Sequence, residues 1–143
     1  MKIGLFSFVD SIEGLTDIAG TAAEQGFDSI WIPQVFGQDT LTAIAVAGQT
    51  VPDLVFATAV VPTYPRHPMS LAQQALTVNA AIDGRLVLGI GPSHKPVVEG
   101  SWGISFDKPI RHLREYLEIL MPLVHDKKVR YQGETLTTRA DLS

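Results

Sequence analysis

Apolar residues fall into two alternating patterns along this chain. Short β-rich runs occur at Ile3–Phe8, Ser29–Ile32, Val55–Val61 and Leu86–Ile90. They are nearly continuous rather than alternating, as expected of strands covered on both faces. Their starts lie 26, 26 and 31 residues apart, about the length of one strand–loop–helix unit. Between them the period becomes helical. Asp10 or Ser11 can cap a first helix that places Ile12, Leu15, Ile18, Ala19 and Ala22 on one stripe, with Gly26 at its end. Asp39 or Thr40 opens a second, Ala-rich helix that stops before Pro52. His67-Pro68 opens a third, with Leu71, Ala75, Val78 and Ile82 in register and Gly84 terminal. A fourth follows Asp107 and Pro109, with Ile110, Leu113, Leu117, Leu120 and Val124 in register. Its internal Pro122 should kink or shorten it. Pro92–Phe106 reads as a long loop, and Val129 to Thr137 as a short hairpin around Gln132-Gly133.

Such alternation implies an α/β fold with a parallel sheet and right-handed crossovers. Two architectures compete, an open doubly wound sheet and a segment of a (β/α)8 barrel. Both bind ligands at the C-terminal ends of their strands, so the chemistry is sought there. The first strand ends in Phe6-Ser7-Phe8, read either as buried aromatics or as an apolar wall with Ser7 as a polar handle. The second ends in Trp31, a core residue by type, and Gln34, whose amide can donate to and accept from a heterocycle edge. The third leaves through Pro62-Thr-Tyr-Pro65-Arg-His-Pro68, a proline-stiffened loop. Arg66-His67 there could meet an anion or form a solvated cap. The fourth carries Gly89-Ile-Gly91-Pro-Ser-His94. His94 replaces the third glycine of a dinucleotide fingerprint and no helix follows directly, so the glycines indicate close approach of a planar ligand or a neighbouring strand. His94 itself stands where a general acid or base stands in a barrel.

Composition removes other classes. A formal net charge of −4 with no Lys/Arg cluster argues against nucleic acid as the main partner. The first apolar run is too short for a membrane span and lacks a cleavage site, and the chain has no Cys. Disulfides and thiol chemistry are thereby excluded, and a cytoplasmic protein without membrane association is expected. Histidines 67, 94, 112 and 125 show no metal-binding spacing, so no metal is expected, and Glu115 and Glu118 read as a solvated helix face. No nucleophile elbow is present.

The ends of strands three and four carry a specific resemblance. Thr58–Pro68 (T-A-V-V-P-T-Y-P-R-H-P) and Leu86–Lys95 (L-V-L-G-I-G-P-S-H-K) resemble the luciferase-like monooxygenase superfamily of (β/α)8 flavin enzymes. They are most similar to its coenzyme F420-dependent branch, including methylenetetrahydromethanopterin reductase. Ile30–Gly37 (I-W-I-P-Q-V-F-G) and the D-x-L-T-A-I-A run at Asp39–Ala45 extend the likeness, which runs from Met1 to about Gly133. The resemblance implies a single partial barrel domain over 1–143, the N-terminal half of a (β/α)8 TIM barrel with four parallel βα units, with 129–143 beginning an insertion. It implies a non-prolyl cis peptide at Ala59–Val60 behind the deazaflavin ring. Ser7, Gln34, Thr58, Ala59, Val60, Gly91, Pro92 and Ser93 would contact the cofactor. Phe6, Phe8, Trp102 and Phe106 would form the substrate wall and lid. Many relatives have an Asp-His pair where this chain has Pro33-Gln34, which cannot take a proton, and His94 stands where relatives often carry an acid. His94 is therefore the expected proton donor or substrate orienter. The implied activity is hydride transfer between reduced F420 and a small organic substrate. An FMN-dependent monooxygenase is the alternative, and a non-catalytic, self-associating half-barrel is the alternative from another class. A complete barrel takes about 250 residues, so the 143-residue chain is expected to be an inactive half on its own, with a homo-oligomer as its expected assembly.

Overall fold

The computed structural model describes residues 1–143, which divide into two compact units, Met1–Val61 with Ala75–Ile90, and Pro62–Gln74 with Gly91–Ser143.

In the first unit, Ser11 ends the extended segment. Its side chain accepts from the Gly14 N–H at 2.9 Å and starts helix α1 (Ile12–Glu24). Leu15, Ala19 and Ala22 are the buried stripe, and Gly26, at φ 82°, takes the left-handed conformation that ends the helix. Asp39 caps α2 (Thr40–Ala47) in the same way, bonding Thr42 through backbone and hydroxyl. This helix stops well before Pro52. Four strands form one parallel sheet: β1 (Gly4–Phe6), β2 (Ser29–Ile32), β3 (Val55–Thr58) and β5 (Leu86–Val87), in the order β1-β2-β3-β5. Leu5 pairs with Ile30, Ile30 with Phe56, and Phe56 with Leu86. Each crossover steps the same way along the sheet. A doubly wound fold would reverse direction at its switch point, so the strand order selects the barrel-type path. Ile30, Ile32, Phe56, Leu15, Leu41 and Ile44 are fully buried between sheet and helices, each worth about 1.5–3 kcal/mol over its exposed state. Arg85 staples the far side, donating to the carbonyls of Gly48, Val51 and Leu54 at 2.6–2.8 Å.

Two expected strands are split. The third is interrupted by a cis peptide at Ala59–Val60 and resumes as β4 (Val61–Pro62). The fourth breaks after Val87 and resumes as β6 (Ile90–Gly91), because Thr58 claims Gly89. Helix α3 (Pro68–Ala81) begins in the second unit, where His67 caps it by accepting from the Met69 N–H at 3.2 Å. His67 thus acts as a cap through Nδ1, while its Nε2 lies 3.3 Å from the Thr138 hydroxyl.

The second unit departs further from expectation. The supposed loop Pro92–Phe106 contains a short helix, α4 (Lys95–Gly100), formed around the fully buried Val98. Helix α5 (Pro109–His125) continues past Pro122 and is not shortened there. Its buried face is His112, Glu115, Tyr116, Ile119, Leu120 and Leu123, one step round from the expected stripe, leaving Ile110 79% exposed. The hairpin pairs β7 (Lys128–Gln132) with β8 (Thr137–Asp141), turning at 133–136 rather than at Gln132-Gly133. Val129 and Thr138 are its buried positions. No helix is long and apolar enough to cross a membrane.

Candidate functional site

At the strand mouths of the first unit, Phe6 and Phe8 are 53% and 71% exposed and meet edge to face at 5.3 Å and 89°. The core reading of these two rings is thereby overturned. Alternation along an extended segment puts both on one side, and nothing in the unit covers them. Ser7 between them extends the β1–β2 ladder, its N–H donating to Trp31 O at 3.1 Å, while its hydroxyl donates to Phe8 O. Trp31 is half-buried and donates its indole N–H to Ser29. Gln34 turns towards α2, its amide oxygen 3.4 Å from the Thr40 N–H, and Thr40 donates its hydroxyl to Pro33 O. A cleft of about 100 Å³ opens beside Phe8, lined among others by Ile32, Pro33, Val35, Phe36 and Thr40.

Thr58 is tied to the neighbouring strand. It is fully buried, and its hydroxyl donates to Gly89 O at 2.7 Å and accepts from Gly89 N–H at 2.9 Å. A hydroxyl so committed locks the two strands together. Gly89 is required at this place, since a Cβ there would lie 2.1 Å from Thr58 O. Of the two readings of the glycine pair, close approach to a neighbouring strand therefore holds for Gly89. Beside it the non-prolyl cis bond falls at Ala59–Val60, with Ala59 N–H donating to Ile32 O and Val60 41% exposed.

In the second unit, Gly91 is buried and its carbonyl accepts from Thr63 N–H at 2.9 Å. Pro92 and Ser93 are half-buried, Ser93 at φ 63°. His94 caps α4 through its backbone carbonyl, which accepts from Val97 and Val98, leaving an exposed imidazole with no capping bond. Trp102 is half-buried, its backbone N–H donating to Val97 O at 3.3 Å. Phe106 is half-buried. Its ring packs on Tyr64 at 5.2 Å, and Tyr64 stacks on His112 at 3.9 Å.

That stack belongs to a network absent from the sequence reading. His112 Nε2 lies 3.0 Å from the hydroxyl of the fully buried Thr63, and its ring approaches Tyr116 at 5.7 Å. Burial lowers the His112 pKa against a smaller upward pull from Glu115, which favours the neutral ring. Burial raises both phenols, Tyr64 helped by Asp107 and Tyr116 opposed by Arg66, and both hydroxyls are buried without a partner. Their signal was the i, i+4 spacing of His112 and Tyr116 on one helix face.

Glu115 also corrects its reading as a solvated residue. It is 5% exposed and receives the N–H groups of Glu134, Thr135 and Leu136 at 2.8–2.9 Å and the Thr135 hydroxyl at 2.6 Å. Burial pushes its carboxyl upward, but those four donors prevail and hold it at about 2. Glu118 is exposed, as expected, and accepts from the Tyr131 hydroxyl. No group of three or more His, Asp or Glu converges in a way that could hold a metal.

Comparison with known proteins fits this arrangement. A Mycobacterium tuberculosis protein whose name assigns it to the coenzyme F420-dependent oxidoreductases is 34% identical over 123 residues, covering 84% of this chain and 35% of that protein. The coenzyme F420-dependent tetrahydromethanopterin reductase of Methanopyrus kandleri superposes with a TM-score of 0.87 at 19% identity, over 99% of this chain and 46% of that one. The oxygenating constituent of 3,6-diketocamphane monooxygenase of Pseudomonas putida, solved with FMN, gives 0.83 at 21% identity, over 98% and 43%. The chain thus spans about a third of the curated relative and under half of the solved barrels, whose fold it shares. The luciferase-like monooxygenase family model matches residues 1–143 throughout, and the chain belongs to that family.

Proposed function

We propose that this chain is the ring-binding part of an F420-dependent oxidoreductase that moves a hydride between reduced deazaflavin and a small organic substrate. The observation carrying the reading is the exposed aromatic pair Phe6 and Phe8 beside the Ile32–Pro33 cleft. Two exposed aromatic rings side by side are the kind of apolar surface that a flat apolar partner covers. The likeness to an F420-dependent relative at 34% identity supports the choice of partner. The residues fit such a group in kind. Phe6, Phe8 and Val60 offer apolar surface, while Ser7 and Gln34 offer polar edges. In the second unit, taken by itself, Gly91, Pro92 and Ser93 form a stretch with little side chain. The cofactor, when bound, supplies the hydride. This chain's side chains orient it and exclude water. The exposed imidazole of His94 is the proton donor or substrate orienter in this reading.

Fluorescence titration with F420 and with FMN tests it. F420 binding is expected, weakened about tenfold when Phe6 and Phe8 are both replaced by Ala, in line with the worth of aromatic contacts. Tight FMN binding with no affinity for F420 would instead make this a monooxygenase, and no binding of either would leave a non-catalytic half-barrel.

A further inference from the structure

The outward face of the hairpin has a charge pattern that its own fold does not balance. Val129 and Thr138 point inward and are buried, so Lys128, Arg130 and Gln132 on β7 stand outward with Thr137, Arg139 and Asp141 on β8. The register sets Lys128 opposite Asp141, Arg130 opposite Arg139, and Gln132 opposite Thr137. The first pair is an ion pair at 3.1 Å. The second places two like charges directly across from each other, an arrangement that destabilises a β-ladder.

No nearby carboxylate relieves it. Asp141 accepts from the hydroxyl and N–H of Ser143 and from Lys128, which hold its carboxyl at about 2. Glu134 is taken by Lys108 and Arg111, Glu118 by the Tyr131 hydroxyl, and Glu115 by the turn. Both guanidiniums are exposed, and neither makes a hydrogen bond or ion pair. They line an open cleft of about 660 Å³ together with Lys128, Val129, Ala140 and Asp141. Lys128 and Asp141 cancel, leaving two unmatched positive charges on adjacent planar forks. A carboxylate would fill one fork. A tetrahedral dianion can accept from both at once and match their charge. The Glu115 bonds to the turn hold the two strands in register, so the forks are set before a ligand arrives.

We propose that this face is a phosphate site, in which Arg130 and Arg139 together grip the dianion of a small phosphomonoester. The site is independent of the flavin reading and uses none of the residues assigned there. It carries a thermodynamic signature, because the anion removes a repulsion that the empty ladder bears.

The test is thermal unfolding of the whole chain with inorganic phosphate and, in parallel, methyl phosphate, against sodium chloride at equal ionic strength. Both phosphates should raise the Tm more than chloride does, with methyl phosphate at least equal to the free ion. Arg139→Gln or Arg130→Gln should abolish the difference. In phosphate-free buffer the same substitutions should leave Tm unchanged or higher, since a like-charge pair is gone. Arg114→Gln, which removes another exposed arginine without an ion pair, should keep the full phosphate response. The proposal fails if phosphate and chloride act alike, if either hairpin variant retains the response, or if Arg114→Gln loses it. It fails equally if an acidic peptide protects the chain more than either phosphate.

Discussion

Single atoms decide several features of this molecule. At Gly89 the missing Cβ is the space that the Thr58 carbonyl occupies, so Gly89→Ala should cost about 3 kcal/mol, the upper end of overpacking penalties. Thr58→Val keeps the volume but strips Gly89 N–H of its acceptor, and should cost about 1–3 kcal/mol. Thr58→Ser should restore most of that, with chemical denaturation reading all three. Glu115 offers a sign that can be worked out. Its folded carboxyl sits at about 2 against an ordinary 4.5. Its contribution is therefore complete above pH 4.5 and lost as pH falls towards 2. Glu115→Ala should remove that acid-sensitive part and loosen the turn, seen as faster amide exchange at Glu134, Thr135 and Leu136. Gly89 could be picked out in the sequence as a site of close approach, because a glycine inside an apolar strand has few other uses. Glu115 could not. A carboxylate on a helix is ordinarily solvated, and only the turn folded over it, 19 to 21 residues later, gives it donors.

At the scale of elements, strand and helix positions were legible because their periods and caps agree. Ser11 and Asp39 both cap as their positions suggested. The failures share one cause, the absence of a decisive period. Helix α4 spans six residues and holds a single buried anchor, Val98, too little to register as a repeat. Helix α5 has the opposite fault, with apolar residues on more than one face, so hydrophobic spacing chooses between faces arbitrarily. What chooses physically is polar satisfaction: the face carrying His112 and Glu115 turns inward because Thr63 and the hairpin turn bond them there. A pH dependence follows. Since the folded His112 pKa lies below the ordinary 6.5, the unfolded chain binds a proton that the folded one resists. Stability should decline as pH drops below 6.5. His112→Gln, which can still bond Thr63, should flatten that decline by up to one proton, measured by denaturant unfolding from pH 7.5 to 5. An equally steep decline in the variant would show that His112 does not report on this packing.

At the scale of the whole molecule, the parallel sheet of the first unit ends in two unpaired edges, β1 and β5. Ile3, Phe6 and Val87 lie on or beside them and are 50%, 53% and 42% exposed. Natural sheets blunt such edges with charge, Pro or bulges. Here Gly4–Phe6 and Leu86–Val87 contain no charge or proline. For residues 1–143 by themselves, the expected consequence is association with a further copy, strand edge to strand edge, since backbone donors and acceptors and apolar side chains are presented together. Sedimentation velocity should show a species heavier than 15.5 kDa whose share grows with concentration. Val87→Lys introduces the charge that natural edges use and should move the population to monomer without loss of stability. Val46→Lys, on the exposed side of α2 at 48% exposure, should leave association unchanged, which separates an edge effect from a general gain in solubility. A single monomeric species at every concentration, or equal effects of the two lysines, would mean that these short edges are already protected by their length.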